Sequence, residues 1–234
     1  FNPDMHLALR HALNRAQDEA RAILLTGAGR GFCAGQDLSD RSVGADDAPP
    51  DIGGSIDNYY KPLVLQIKAL TIPTVCAVNG VAAGAGASLA LLCDMVFAAR
   101  SASFIQAFSK IGLIPDTGGT WLLPHAVGHA RAMALALTGD KLPAETAEQW
   151  GMIWKCVADE ALMETALSQA KQLAAGPTRA YMRIKQAIAA ASTNSLEDQL
   201  AVEREYMAEL GHSDDYREGV TAFMHKRPPV FTGK

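Results

Sequence analysis

Two glycine-rich strand ends carry the residues best suited to holding a developing negative charge. One is Val78-Asn79-Gly80-Val81-Ala82-Ala83-Gly84-Ala85-Gly86-Ala87-Ser88, where an apolar run passes into a helix through residues with almost no side chain. Backbone N–H groups at a helix start lack an intrahelical acceptor and attract anions. The other is Thr26-Gly27-Ala28-Gly29-Arg30-Gly31-Phe32-Cys33-Ala34-Gly35-Gln36-Asp37-Leu38, which follows the apolar run Ala22-Ile23-Leu24-Leu25. If the two ends meet, one amide from each can grip an oxyanion, as enolates and tetrahedral species require. The same small residues also suit close packing of a helix on a sheet, and the residues alone leave both readings open.

Asp116 is the acid that stands out, within Ile114-Pro115-Asp116-Thr117-Gly118-Gly119-Thr120. A carboxylate between a proline and two glycines, with Phe108 upstream, can lose part of its hydration and become a better base. Asp is equally a favoured helix N-cap, so cap and base stand side by side.

Other constellations fail on spacing. Gly27-Ala28-Gly29-Arg30-Gly31 is not G-x-G-x-x-G, and no acidic residue ends a strand about 20 positions later to take a ribose. No glycine-lysine-serine/threonine triplet exists for a Walker A loop. His125 and His129 share a helix face, but Ala126 stands where a zinc protease needs Glu, so both are read as ordinary histidines and no metal is expected. Cys33 lacks a marked base nearby and reads as a small buried thiol.

The elements that must position these residues alternate. An amphipathic helix is expected over 5–20, strands over 22–25, 74–78 and 95–99, and helices over 59–70 and from the small-residue junction to Leu92. Residues 40–55, rich in Asp, Gly and Pro, are expected to form a lid-like loop. Short apolar strands alternating with helices predict a largely parallel α/β sheet. Beyond Gly119 the pattern turns helical, over 121–137, 144–150, 161–174, 178–191 and 196–210, with Ser195-Leu196-Glu197-Asp198 resembling a capping box and one short strand near 154–157. An α/β core over 1–118 and a helical region over 119–234 are the expected parts.

A chain of 234 residues can bury one large core. A net charge of −4 offers no basic patch, so nucleic acid is not an expected partner. Four dispersed cysteines fit free thiols in a reducing cytoplasm, and no apolar run approaches the ~18 residues that cross a bilayer, so no membrane association is expected.

Three landmarks resemble the enoyl-CoA hydratase/isomerase (crotonase) superfamily over nearly the whole chain: Gly31-Phe32-Cys33-Ala34-Gly35-Gln36-Asp37-Leu38, Ala77-Val78-Asn79-Gly80 through Leu92-Cys93-Asp94, and Gly112-Leu113-Ile114-Pro115-Asp116-Thr117-Gly118-Gly119. Ala107-Phe108-Ser109-Lys110-Ile111-Gly112, Glu148-Gln149-Trp150-Gly151-Met152-Ile153-Trp154 and Tyr216-Arg217-Glu218-Gly219-Val220 are most similar to its branch that isomerises ring-epoxidised phenylacetyl-CoA.

The resemblance implies a spiral of ββα units with a helical C-terminal trimerisation region, and an N-terminal strand hairpin ahead of Phe1. It implies the N–H groups of Gln36 and Ala85 as oxyanion donors and Asp116 as the proton carrier. Ala34, Asp37, Leu38 and Phe108 are the implied substrate contacts, with Phe223 and Lys226 at the adenine nucleotide end of CoA. The two glutamates of the hydratases fall on Ser88 and Phe108, which disfavours water addition. The implied reaction is conversion of ring-1,2-epoxyphenylacetyl-CoA to oxepin-CoA, and of Δ3- to Δ2-enoyl-CoA. A general Δ3,Δ2-enoyl-CoA isomerase and a non-catalytic acyl-CoA-binding or assembly protein are the alternatives. No cofactor beyond the CoA of the substrate is implied, and the expected assembly is a homotrimer or a hexamer of paired trimers.

Overall fold

The computed structural model describes residues 1–41 and 50–234. Helix α1 (Pro3–Glu19) starts with Pro at its first position and Asn2 as cap, whose side chain accepts the Met5 N–H at 2.9 Å. Strand β1 (Ile23–Thr26) and the first glycine-rich loop follow. Of the lid expected over 40–55, residues 42–49 lie outside the described residues; at its two ends a 3-10 turn covers Leu38–Arg41 and a helical turn covers Ile52–Ser55. Asp51 caps a helical turn, α2 (Ile52–Ser55), through the Gly54 N–H at 2.7 Å, and a π-turn over Ile56–Tyr60 leads into α3 (Lys61–Ala69). Asp51, Gly53 and Gly54, which contributed to the loop expectation, serve as a cap and a tight first turn.

The main sheet has four strands in the order β1-β2-β4-β7, with β2 (Thr74–Val78), β4 (Met95–Ala99) and β7 (Lys155–Val157) mutually parallel. All five residues of β2 are buried, which explains its unbroken apolar sequence. Its register is pinned at one end, where the Asp94 carboxylate accepts the Thr74 N–H and O–H at 2.8 and 2.9 Å.

A second sheet, in the order β3-β5-β6, joins β3 (Val81–Ala83), β5 (Ser103–Ile105) and β6 (Lys141–Pro143); β3 and β5 run parallel, β5 and β6 antiparallel. The sequence reading missed it, because three-residue strands are too short to display a period of two. Helix α4 (Ala85–Leu91) leaves β3 through Gly84. The expected helix over 121–137 is two: α5 (Gly119–Val127) and α6 (His129–Thr138) meet at Gly128, whose φ of 79° and ψ of 163° no helix can hold. Helix α7 (Ala144–Gln149) then leads to β7.

Helices α8 (Leu162–Ala174), α9 (Thr178–Ala190), α10 (Leu196–Leu210) and α11 (Asp214–Met224) complete the chain. The expected cap at Ser195 forms, its Oγ accepting the Asp198 N–H at 3.1 Å. By packing, the chain divides into two compact units: Phe1–Arg15, Leu24–Ala69 and Thr74–Leu167 make the first, and Ala16–Ile23, Leu70–Pro73 and Ser168–Lys234 the second. The first holds the second sheet, nearly all of the main one and the apolar core around Leu63, Val75, Val78 and Leu123. In the second, Glu209 on α10 accepts from Arg179 at 2.8 Å and from Arg183, both on α9, and the Asp215 carboxylate holds the tail through the Thr232 and Gly233 N–H groups at 2.7 and 2.8 Å.

Candidate active site

The first glycine-rich loop lies along β3. Phe32 and Cys33 both donate to the Val81 carbonyl, at 3.0 and 3.1 Å, and Ala83 donates to the Cys33 carbonyl at 2.9 Å. This approach works only because side chains are missing. A Cβ on Gly80 would stand 2.2 Å from the Arg30 oxygen, and one on Gly86 2.3 Å from the Cys33 oxygen. Gly35, at φ +91°, comes so close that a Cβ there would lie 2.9 Å from the Ala83 oxygen and 3.6 Å from the Ala85 nitrogen. The Gly35-Gln36 link therefore abuts the first turn of α4.

At that turn Gly84 is the N-cap, with φ 53° and ψ −126°, a conformation that glycine tolerates and that supplies no capping side chain. Among the described residues the Ala85 N–H has no acceptor. The two readings of the small residues are thus one arrangement: tight packing of loop on helix start is what sets the Gln36 residue beside an amide left without a partner. Phe108 is buried with its ring against Gly84, 3.6 Å from where a Cβ would be.

Asp116 is half-buried. Its Oδ1 accepts the Thr117 O–H at 2.8 Å, while its carbonyl accepts the Gly119 N–H at 2.7 Å and the Ser88 O–H at 3.3 Å. The N-cap of α5 is Gly118, so the helix is not started by the Asp116 side chain. Thr117 and Gly118 are both left-handed, at φ 53° and 78°. A buried, non-glycine residue in that region is strained, and strain of this sort gathers where a fold must aim a functional side chain.

Gln36, Ala85 and Asp116 therefore lie in one unit, tied through α4. Ala34, Asp37 and Leu38 are exposed on the outer side of the same loop. The Asp37 carboxylate accepts the Ser39 N–H and O–H at 3.0 and 2.7 Å, and these bonds hold its pKa below the usual carboxylate range. Phe223, 81% exposed near the end of α11, and Lys226, at φ 52° just beyond it, belong to the second unit.

Two contributors escaped the sequence reading. Ser88 was noted only as a replaced glutamate, yet it is fully buried and anchors the Asp116 backbone. Tyr60, 1% exposed, donates to Gln36 Oε1 at 2.6 Å; the π-turn determines which of Tyr59 and Tyr60 points inward, and nothing in the sequence announces that turn. The first unit also contains a cavity of about 220 Å³ beside Asp116, lined by Pro115, Gly119, Leu123, Met133 and Ala136 among others.

Among the described residues no group of three or more His, Cys, Asp or Glu could hold a metal ion. His125 instead bonds the Trp121 carbonyl through Nδ1 at 2.6 Å and stacks on the Trp121 ring. Among the described residues no helix is long and apolar enough to cross a membrane.

The chain is 57% identical over 236 residues to the 1,2-epoxyphenylacetyl-CoA isomerase of Escherichia coli (strain K12), covering 100% of this chain and 90% of that protein. It is 34% identical to the trans-2-decenoyl-[acyl-carrier-protein] isomerase of Streptococcus mutans, covering 94% and 84% respectively. The crystal structure of a putative enoyl-CoA hydratase/isomerase from Mycobacterium abscessus matches at a TM-score of 0.95 with 35% identity, over 100% of this chain and 91% of that one. With a crotonase-type fold, two glycine-shaped turns joined at a helix start and all of residues 1–234 matching it, the chain belongs to the enoyl-CoA hydratase/isomerase family.

Proposed function

We propose that this protein is an acyl-CoA isomerase that converts ring-1,2-epoxyphenylacetyl-CoA to oxepin-CoA and also shifts Δ3-enoyl-CoA to Δ2-enoyl-CoA. The carrying observation is the convergence of the Gly35-Gln36 link on the unpartnered Ala85 amide, with Asp116 tied to the same helix by Ser88. The isomerases among its relatives support this reading.

The thioester carbonyl sits between the Gln36 and Ala85 amides, which stabilise negative charge on its oxygen more than the neutral ground state. That acidifies the neighbouring carbon, and the Asp116 carboxylate removes its proton. In a Δ3-enoyl-CoA the proton returns to the γ-carbon and the double bond comes into conjugation. In the epoxide, electrons released toward the ring accompany opening of its fused C–C bond to a seven-membered oxepin, and the proton is delivered to a ring carbon. Both reactions are redox-neutral rearrangements and call for no cofactor beyond the CoA of the substrate. The apolar cavity beside Pro115 offers room for the acyl group's far end. Ser88 and Phe108 supply no carboxylate to activate water, which disfavours hydration.

Phe223 and Lys226 bind the nucleotide end of CoA, and Ala34, Asp37 and Leu38 line its approach. The protein acts as a homotrimer or a hexamer in the cytoplasm. The second unit leaves Ile188, Met207, Phe223 and Met224 more than two-thirds exposed and contains an apolar cavity of about 760 Å³, surface that association of subunits would bury.

The test is to offer the ring epoxide, a Δ3-enoyl-CoA and a Δ2-enoyl-CoA separately. Isomerisation of the first two at a higher kcat/KM than hydration of the third is expected. Preferred hydration, or binding of all three without turnover, overturns the reading.

A further inference from the structure

We infer that Tyr60 is a positioning residue for the oxyanion donor at Gln36, its buried phenol clamping the Gln36 side chain and through it the backbone of the loop. This deepens the isomerase reading and rests on it. The Gln36 side chain is a bracket with two ends: Oε1 accepts the Tyr60 O–H at 2.6 Å, and Nε2 donates to the Asp37 carbonyl at 3.2 Å. The second bond returns to the loop's own main chain at the Asp37–Leu38 peptide, so the Gln36 side chain is held at one end by Tyr60 and at the other by the backbone of the loop. On the other side, the Asp37 N–H donates to the Phe1 carbonyl at 2.7 Å.

The donor itself is held firmly. Tyr60 is 1% exposed, and its ring meets His6 edge-on with centroids 4.5 Å apart and Phe1 at 5.7 Å. It ends the π-turn Ile56–Tyr60, a local irregularity that costs helix regularity and recurs at functional sites. A regular α-helix through these residues would rotate Tyr60 away from its present direction. A bond of this length from a buried phenol matters where a donor must sit within a few tenths of an ångström of the oxyanion. The loop's outer residues, Ala34, Asp37 and Leu38, are exposed.

The experiment compares Tyr60→Phe, Gln36→Met and the double variant, using α-proton exchange and isomerisation kinetics with thermal unfolding as a fold control. Tyr60→Phe removes one oxygen and Gln36→Met keeps the backbone N–H. Each single variant is expected to lower kcat about 10-fold, less than the 10²–10³-fold for losing an oxyanion donor outright, with KM changed less than 2-fold. The double variant is expected to match the worse single one. Unchanged kcat in either single variant, or losses that multiply in the double, overturns the proposal. Should Tyr60→Phe not fold, Gln36→Met alone decides by its effect on kcat. A parent protein without activity overturns the isomerase reading together with this one, whereas an active parent with a fully active Tyr60→Phe overturns this one alone.

Discussion

The Ser88 hydroxyl donates to the Asp116 carbonyl at 3.3 Å, joining a residue one helical turn beyond Ala85 to the acid on a separate loop. Ser88 is fully buried, and a Cβ on Gly119 would come within 3.0 Å of its Oγ and 3.1 Å of the Pro115 side chain. The proposed oxyanion amide of Ala85 and the proposed proton carrier Asp116 are thereby tied to one short helix through the backbone of Asp116.

Removing that tie leaves both groups present but less well aimed. Ser88→Ala is expected to reduce kcat about 5- to 10-fold while KM stays within 2-fold, since misplacement of a reacting group acts on the transition state. Steady-state kinetics checks this; a change confined to KM would show that Ser88 serves binding.

Asp116→Asn keeps the shape of the loop and deletes the proposed base. Turnover should fall by at least about 10²-fold, in the range of general acid–base catalysis, with the affinity for a CoA ester unchanged by calorimetry.

The two glycines at the crossing of loop and helix start are separable by experiment. Gly86→Ala places a methyl 2.3 Å from the Cys33 carbonyl oxygen, so loop and helix must part. A loss of about 3 kcal/mol is expected in urea unfolding, comparable with overpacking in a core. Gly35→Ala meets the Ala83 oxygen at 2.9 Å from a left-handed φ of +91°, and shifts the peptide that carries the Gln36 amide. Its main expected effect is a fall of about 10²-fold in kcat, close to the loss of one oxyanion donor.

His6 gives the first unit a pH dependence. Its ring is 2% exposed among Phe1, Tyr59 and Tyr60, and burial, with the positive charge of Arg10, lowers its pKa from 6.5 to about 4. The folded state keeps the ring neutral where the unfolded chain already binds a proton. Stability from this group is therefore complete above about pH 6.5, falls as the pH drops toward 4, and falls no further below that. The loss over the window is of the order of 3 kcal/mol. Urea unfolding of the parent and of His6→Phe between pH 4 and 7 should show the slope in the parent and its reduction in the variant.

The sequence revealed the elements that are long or chemically marked. The buried strand at Thr74–Val78, the capping box at Ser195 and the glycine-rich ends of β1 and β2 follow from local composition. What remained hidden depends on partners distant in the chain. The strands at Val81–Ala83, Ser103–Ile105 and Lys141–Pro143 exist because they pair with one another, and three residues carry no pattern of their own. The break at Gly128 was masked by an apolar period that runs through both α5 and α6. Asp116 was read as either a cap or a base; Gly118 occupies the cap position, and the carboxylate accepts the Thr117 O–H. The Tyr60–Gln36 bond spans 24 residues and depends on a π-turn that helix propensity does not foretell.

Solvent-deuterium incorporation at the α-carbon of bound phenylacetyl-CoA tests the central claim most directly, because it reads proton removal next to the thioester without requiring the later rearrangement. The account predicts exchange by the parent protein and at least about 10²-fold slower exchange by Asp116→Asn at equal occupancy. Exchange at the parent's rate in Asp116→Asn, or none in the parent, would contradict it.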